Sequence, residues 1–98
     1  MSNPSVFLTL LTIELMIPYA QSLKDKRRVV RGLKDRIRGK FNASVAEVGY
    51  QDKWQRAVLA ICLVGSDKRK LESDTARIRT LCEEVVDIEI VAVDQEWL

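Results

Sequence analysis

Residues 54–64 read Trp-Gln-Arg-Ala-Val-Leu-Ala-Ile-Cys-Leu-Val. From residue 57 onward every side chain is apolar, with Val58, Ala60, Cys62 and Val64 on one face of an extended chain and Ala57, Leu59, Ile61 and Leu63 on the other. A strand apolar on both faces belongs in the middle of a sheet. Immediately upstream, Gln51-Asp52-Lys53 is a polar turn, and residues 43–50, Ala-Ser-Val-Ala-Glu-Val-Gly-Tyr, form a shorter strand. In this reading Asp52 shapes the turn and Trp54 covers one end of the core.

Further upstream, residues 6–17 repeat the two-sided pattern. Phe7, Leu11, Ile13, Leu15 and Ile17 share one face, Val6, Leu8 and Leu10 the other, and Pro18 ends the strand because proline cannot donate to a ladder. Ser22 has the character of a helix N-cap, its hydroxyl accepting from the amide of Asp25. Leu23, Val30, Leu33, Ile37 and Phe41 then recur at helical spacing through about residue 41, with Asn42 as C-cap; Gly32 and Gly39 weaken this helix. Downstream, Gly65-Ser66-Asp67 supplies a turn and a cap. A second helix comes next, with Leu71, Thr75, Ile78, Cys82 and Val85 as its core stripe. A last strand, residues 87–93, alternates Ile88, Ile90 and Ala92 against Glu89, Val91 and Val93.

Two βαβ units joined by a hairpin predict an α+β fold of the ferredoxin-like, split βαβ type (βαββαβ). Right-handed crossovers put both helices on one face of a four-stranded antiparallel sheet. The expected order, 4-1-3-2, sets the two doubly apolar strands in the middle. Residues 1–98 contain no repeat, low-complexity tract or linker and are read as one domain.

With 47% hydrophobic and 31% charged residues, the chain has the composition of a folded protein. Two cysteines are too few for a disulfide framework, and Cys62 and Cys82 are read as small buried hydrophobes. The apolar run at 6–17 is not read as a signal or membrane segment: it is short, Glu14 interrupts it and no basic residue precedes it. Asn42-Ala43-Ser44 is read as an accidental sequon, and the expected location is cytoplasmic. Histidine is absent, and no phosphate loop, nucleophile elbow or metal-ligand spacing occurs. The expectation is a protein that is no enzyme, takes no cofactor and has no small-molecule substrate.

The charge is distributed unevenly. Formal net charge is +2, yet the segment 22–41 holds nine basic residues against Asp25 and Asp35 and so carries +7, leaving −5 on the rest. Arg27, Arg31, Lys34 and Arg38 recur as one stripe beside the buried face, a pattern suited to the phosphates of RNA or to an acidic protein surface. The competing reading is a solvated helix face partly neutralised by Glu72, Asp74, Glu83 and Glu84 of the second helix. The paired aromatics of an RNA-recognition motif and the Gly-x-x-Gly loop of a KH domain are both absent. A second feature is an apolar sheet face turned away from the helices, assembled from Val6, Leu8, Leu10, Val58, Ala60, Cys62, Val64, Val91 and Val93. It predicts a homodimer, with cover by Trp97 as the alternative.

The blocks Ser-Leu-Lys-Asp-Lys-Arg-Arg from Ser22, Phe-Asn-Ala-Ser-Val-Ala-Glu-Val from Phe41, Gln-Asp-Lys-Trp-Gln-Arg-Ala from Gln51 and Leu-Val-Gly-Ser-Asp from Leu63 succeed one another in this order. Together they closely resemble the YlxP-like family of small bacterial proteins, a domain-of-unknown-function family. The resemblance implies a ferredoxin-like fold and gene neighbourhoods shared with translation-initiation and ribosome-maturation factors, hence a ribosomal RNA or ribosome partner. It implies no catalytic residues.

Overall fold

The two-sided apolar strands set the layout. In the computed structural model, which describes residues 4–98, the elements run β1 (Phe7–Met16), α1 (Leu23–Lys40), β2 (Ala43–Gly49), β3 (Arg56–Gly65), α2 (Lys68–Glu84) and β4 (Glu89–Trp97). They form one antiparallel sheet in the order β2-β3-β1-β4, with β1 and β3 in the centre. This is the expected α+β, ferredoxin-like arrangement. Alternate residues of the central strands (Leu11, Ile13 and Leu15; Leu59, Ile61 and Leu63) are fully buried and share a core with Val30, Leu33 and Ile37 of α1 and Leu71, Ile78 and Cys82 of α2. Burial pushes the Cys82 thiol up to about 11, so it stays a neutral hydrophobe at ordinary pH.

Local chemistry fixes where the helices begin. Ser22 Oγ accepts from the Asp25 amide at 3.0 Å, and the Asp25 carboxylate accepts from the Gln21 amide at 3.1 Å, so side chain and backbone cap each other. Asp67 caps α2 by accepting from the amides of Arg69 and Lys70. α1 ends one residue before the expected Asn42 cap: Phe41 is extended while its amide still reaches Ile37 O. The Phe41 ring closes the end of the core beneath the guanidinium of Arg77, 5.1 Å from its centroid.

The last strand departs from the sequence reading. β4 continues to Trp97 because its pairing with β1 runs on to Thr9, past the polar run Asp94-Gln95-Glu96. The buried Thr9 hydroxyl donates to Glu96 O at 2.9 Å and accepts from the Gln95 amide at 3.1 Å, so polar residues extend this edge. A bulge opposite Glu14 and Leu15 inserts Val91 and reverses the phase of the strand beyond it. Ile90 and Val93 therefore both pack toward the helices, and Ala92 turns away. Trp97, paired with Thr9, also packs against the core on the helical side, with the Lys68 ammonium 4.9 Å from its ring; it is not a lid on the open face.

These corrections redraw the open face. Val6 precedes β1 and is exposed, and Val93 leaves the set. The apolar part of the face is then Leu8 and Leu10 of β1 with Val58, Ala60, Cys62 and Val64 of β3. Thr12 and the Glu14–Arg56 ion pair share the face, Asp94 and Glu96 flank it on the β4 side, and Val91, the bulged residue, has no partner in β1. Cys62, expected to be buried, is half-buried on this face because no element among the described residues covers it.

Candidate nucleic-acid interface

A helix turns once in 3.6 residues, so the burial of Val30, Leu33 and Ile37 fixes the direction of every other α1 side chain. Arg27, Arg31, Lys34 and Arg38 fall along the flank beside β2, and the stripe extends roughly 16 Å along the helix axis. Its position is set by Arg38, which donates to Val45 O of β2 at 2.8 Å. Because β2 is the sheet's edge strand, this flank is an outer surface of the fold. Arg27, Arg31 and Arg38 are exposed and Lys34 is half-buried. Lys24 and Arg28 extend the charge around a recess that Arg27, Arg31 and the acidic Asp25 also line.

The competing reading, a flank neutralised by α2, finds no ion pair between α1 and α2 among the described residues. Asp74 pairs within its own helix, with Lys70 at 2.9 Å and Arg77 at 3.9 Å, and among the described residues Glu72, Glu83 and Glu84 form no ion pair with α1. Among the described residues the bases of α1 make two ion pairs: Arg28 with Asp25 at 3.6 Å and Lys26 with Glu47 at 2.8 Å. Arg27, Arg31 and Lys34 make none.

Lys26 does not belong to the patch. It lies on the buried stripe, 1% exposed, with its ammonium against the Glu47 carboxylate while donating to Tyr50 O. It thereby ties the start of α1 to the β2–β3 hairpin. Tyr50 there has a φ of 56°, in the left-handed region that a residue with a Cβ seldom adopts. Gly49 before it is required by space, since a Cβ would lie 2.9 Å from Val58 Cγ2. Gln55 holds the far side of the turn, its amide donating to Pro18 O and Ala20 O at 3.1 Å each.

The hairpin presents a second feature, one that the sequence conceals. The Arg56 guanidinium pairs with Glu14 and lies 4.3 Å from the centroid of the Tyr50 ring. The Glu14 hydrogen bond outweighs desolvation and holds the Arg56 pKa above its ordinary value. Trp54, expected over the core, projects from the loop and is 53% exposed. Tyr50, Asp52, Lys53, Trp54, Gln55 and Arg56 line an open hollow of about 520 Å³. Tyr, Trp and Arg at positions 50, 54 and 56 are the available signal, hidden because the turn geometry that gathers them depends on the left-handed Tyr50.

Among the described residues, no group of three or more Cys, Asp or Glu side chains is arranged to hold a metal ion, and no helix is long and apolar enough to cross a membrane.

The family model described as "Protein of unknown function (DUF503)" matches residues 8–95, which include α1 and the hairpin. The chain belongs to the DUF503 family. This DUF503 chain is also 37% identical over 84 residues to the "Uncharacterized protein YlxP" of Bacillus subtilis (strain 168), an alignment covering 86% of the chain and 91% of that relative. The YlxP-like resemblance carried by the sequence blocks is borne out.

Proposed function

We propose that this protein is a non-enzymatic, cytosolic RNA-binding protein that engages structured ribosomal RNA through the β2-side flank of α1. The observation carrying this reading is the set Arg27, Arg31 and Lys34, cations on an outer flank with no carboxylate partner among the described residues. Arg38 extends the set; its bond to Val45 O uses one of five donors and orients the rest. Four such contacts read phosphate charge and helix shape with little sequence discrimination.

Titrating purified ribosomal RNA across a salt series tests this. Four phosphate contacts predict a log–log affinity slope of roughly −3 to −4, with Arg27→Ala and Arg31→Ala each reducing its magnitude by about one. Co-sedimentation with ribosomal subunits should be lost when Arg27, Arg31 and Arg38 are all changed to Glu. A wild-type protein that binds neither RNA nor subunits at low salt refutes the reading.

A second reading, a homodimeric protein-interaction module, is favoured by the uncovered apolar residues of β1 and β3. Two copies packed face to face bury Leu8, Leu10, Val58 and Val64. Sedimentation equilibrium at micromolar concentration is expected to give twice the chain mass, and Val58→Asp to restore the monomer. A monomeric wild type eliminates it.

A further inference from the structure

We propose that the hollow at the β2–β3 turn takes an unpaired nucleobase of the RNA whose phosphates lie on α1. This rests on the RNA reading above and assigns a second, chemically different contact to it. The hollow has the parts such a contact needs. Trp54 offers an exposed ring, and Tyr50 is held in place by the Arg56 guanidinium stacked on it, itself fixed by Glu14. Aromatic and guanidinium planes are the surfaces on which unstacked bases settle.

The charge balance selects a neutral ring over a bare anion. Arg56 is already compensated by Glu14, and Asp52 stands beside Lys53 in the lining. A free phosphate thus finds no concentrated positive charge there, whereas a planar base finds two rings and polar groups at their edge. A base inside a duplex presents no free face, so the target is an unpaired nucleotide. Location links the hollow to the basic flank: Lys26 joins Tyr50 O to the first turns of α1, and Gln55 joins the turn to Ala20, two residues before the Ser22 cap. The hollow therefore lies at the same end of the molecule as Arg27. The Arg56–Glu14 pair stands on the sheet face turned away from the helices, so a single strand leaving the helix flank reaches the hollow by rounding the β2–β3 turn.

The test compares a fluorescein-labelled, unstructured RNA dodecamer with an abasic oligonucleotide of equal length and phosphate charge. Stacking on one aromatic side chain is worth roughly 5- to 150-fold in affinity. Anisotropy titrations should show the base-bearing strand binding about tenfold tighter. Trp54→Ala should remove that difference while leaving abasic affinity and the salt slope unchanged, and Trp54→Phe, which keeps a ring, should retain most of it. In a Trp97→Phe background an unlabelled base-bearing strand should quench Trp54 emission and the abasic strand should not. Equal wild-type affinity for the two strands overturns the base site and leaves the basic flank standing; the hollow is then a surface for a protein side chain. Absence of binding to either strand, or to ribosomal RNA, at low salt overturns both.

Discussion

Leu33→Ala should destabilise the protein by ~2–5 kcal/mol, while Gly32→Ala, one position earlier, should stabilise it by up to ~1 kcal/mol. The opposite signs come from helix phase. Leu33 is 2% exposed and points between Val30 and Ile37 into the layer over the central strands. Truncating it removes transfer free energy and leaves a cavity that a sheet on one side and a second helix on the other cannot readily close. Gly32 points to solvent, and a Cβ there meets nothing within 4 Å. Its replacement simply reduces the conformational freedom lost on folding. Small domains have roughly 5–15 kcal/mol of total stability, so the Leu33 variant loses a large share of it. Urea titration of both variants at equal m-value measures the effect; similar midpoints would show the phase of α1 to be wrong.

The parts of the molecule governed by periodicity are legible in the sequence. Two-sided apolar strands have few places in a four-stranded sheet, and right-handed crossovers leave one arrangement for the helices. Ser22 and Asp67 signal their caps through local side-chain chemistry that needs no tertiary context. The features that escape depend on contacts distant in sequence. The β4 bulge is a matter of register against Glu14 and Leu15, and no residue within β4 announces it. A polar run at 94–96 does not suggest a strand until Thr9, on another strand, supplies the partner for Gln95 and Glu96. The stripe Arg27, Arg31, Lys34 and Arg38 is visible from helical spacing alone. The aromatic hollow is not, because Trp54 in a sequence is as plausible a core cover as a loop tip. Its exposure depends on Tyr50 and Gln55, whose roles emerge only from the fold.

Lys26 is the clearest such case, and the variants around it should separate a buried ion pair from a surface one. Within the sequence it is one of nine bases in a run; in the fold it occupies a core position between helix and hairpin. Lys26→Met is expected to cost about 2–4 kcal/mol, a little below the full cost of breaking a buried pair because the Glu47 side chain keeps 18% exposure and some water. The loss has two sources. Glu47 is left with an uncompensated charge in a mostly dry site, and Tyr50 O loses a donor that helps hold a left-handed residue in place. Glu47→Gln should cost at least as much as Lys26→Met, since it strands an ammonium only 1% exposed, with the Tyr50 carbonyl and the new amide oxygen as its remaining acceptors. Lys26→Met combined with Glu47→Met should be milder than the sum of the single Met variants, because neither charge is stranded. Urea denaturation of the wild type, the two single Met variants and the double variant gives the coupling directly. A surface-like cost below ~0.5 kcal/mol for Lys26→Met would mean that the ammonium reaches solvent and that the hairpin is held by Gln55 alone.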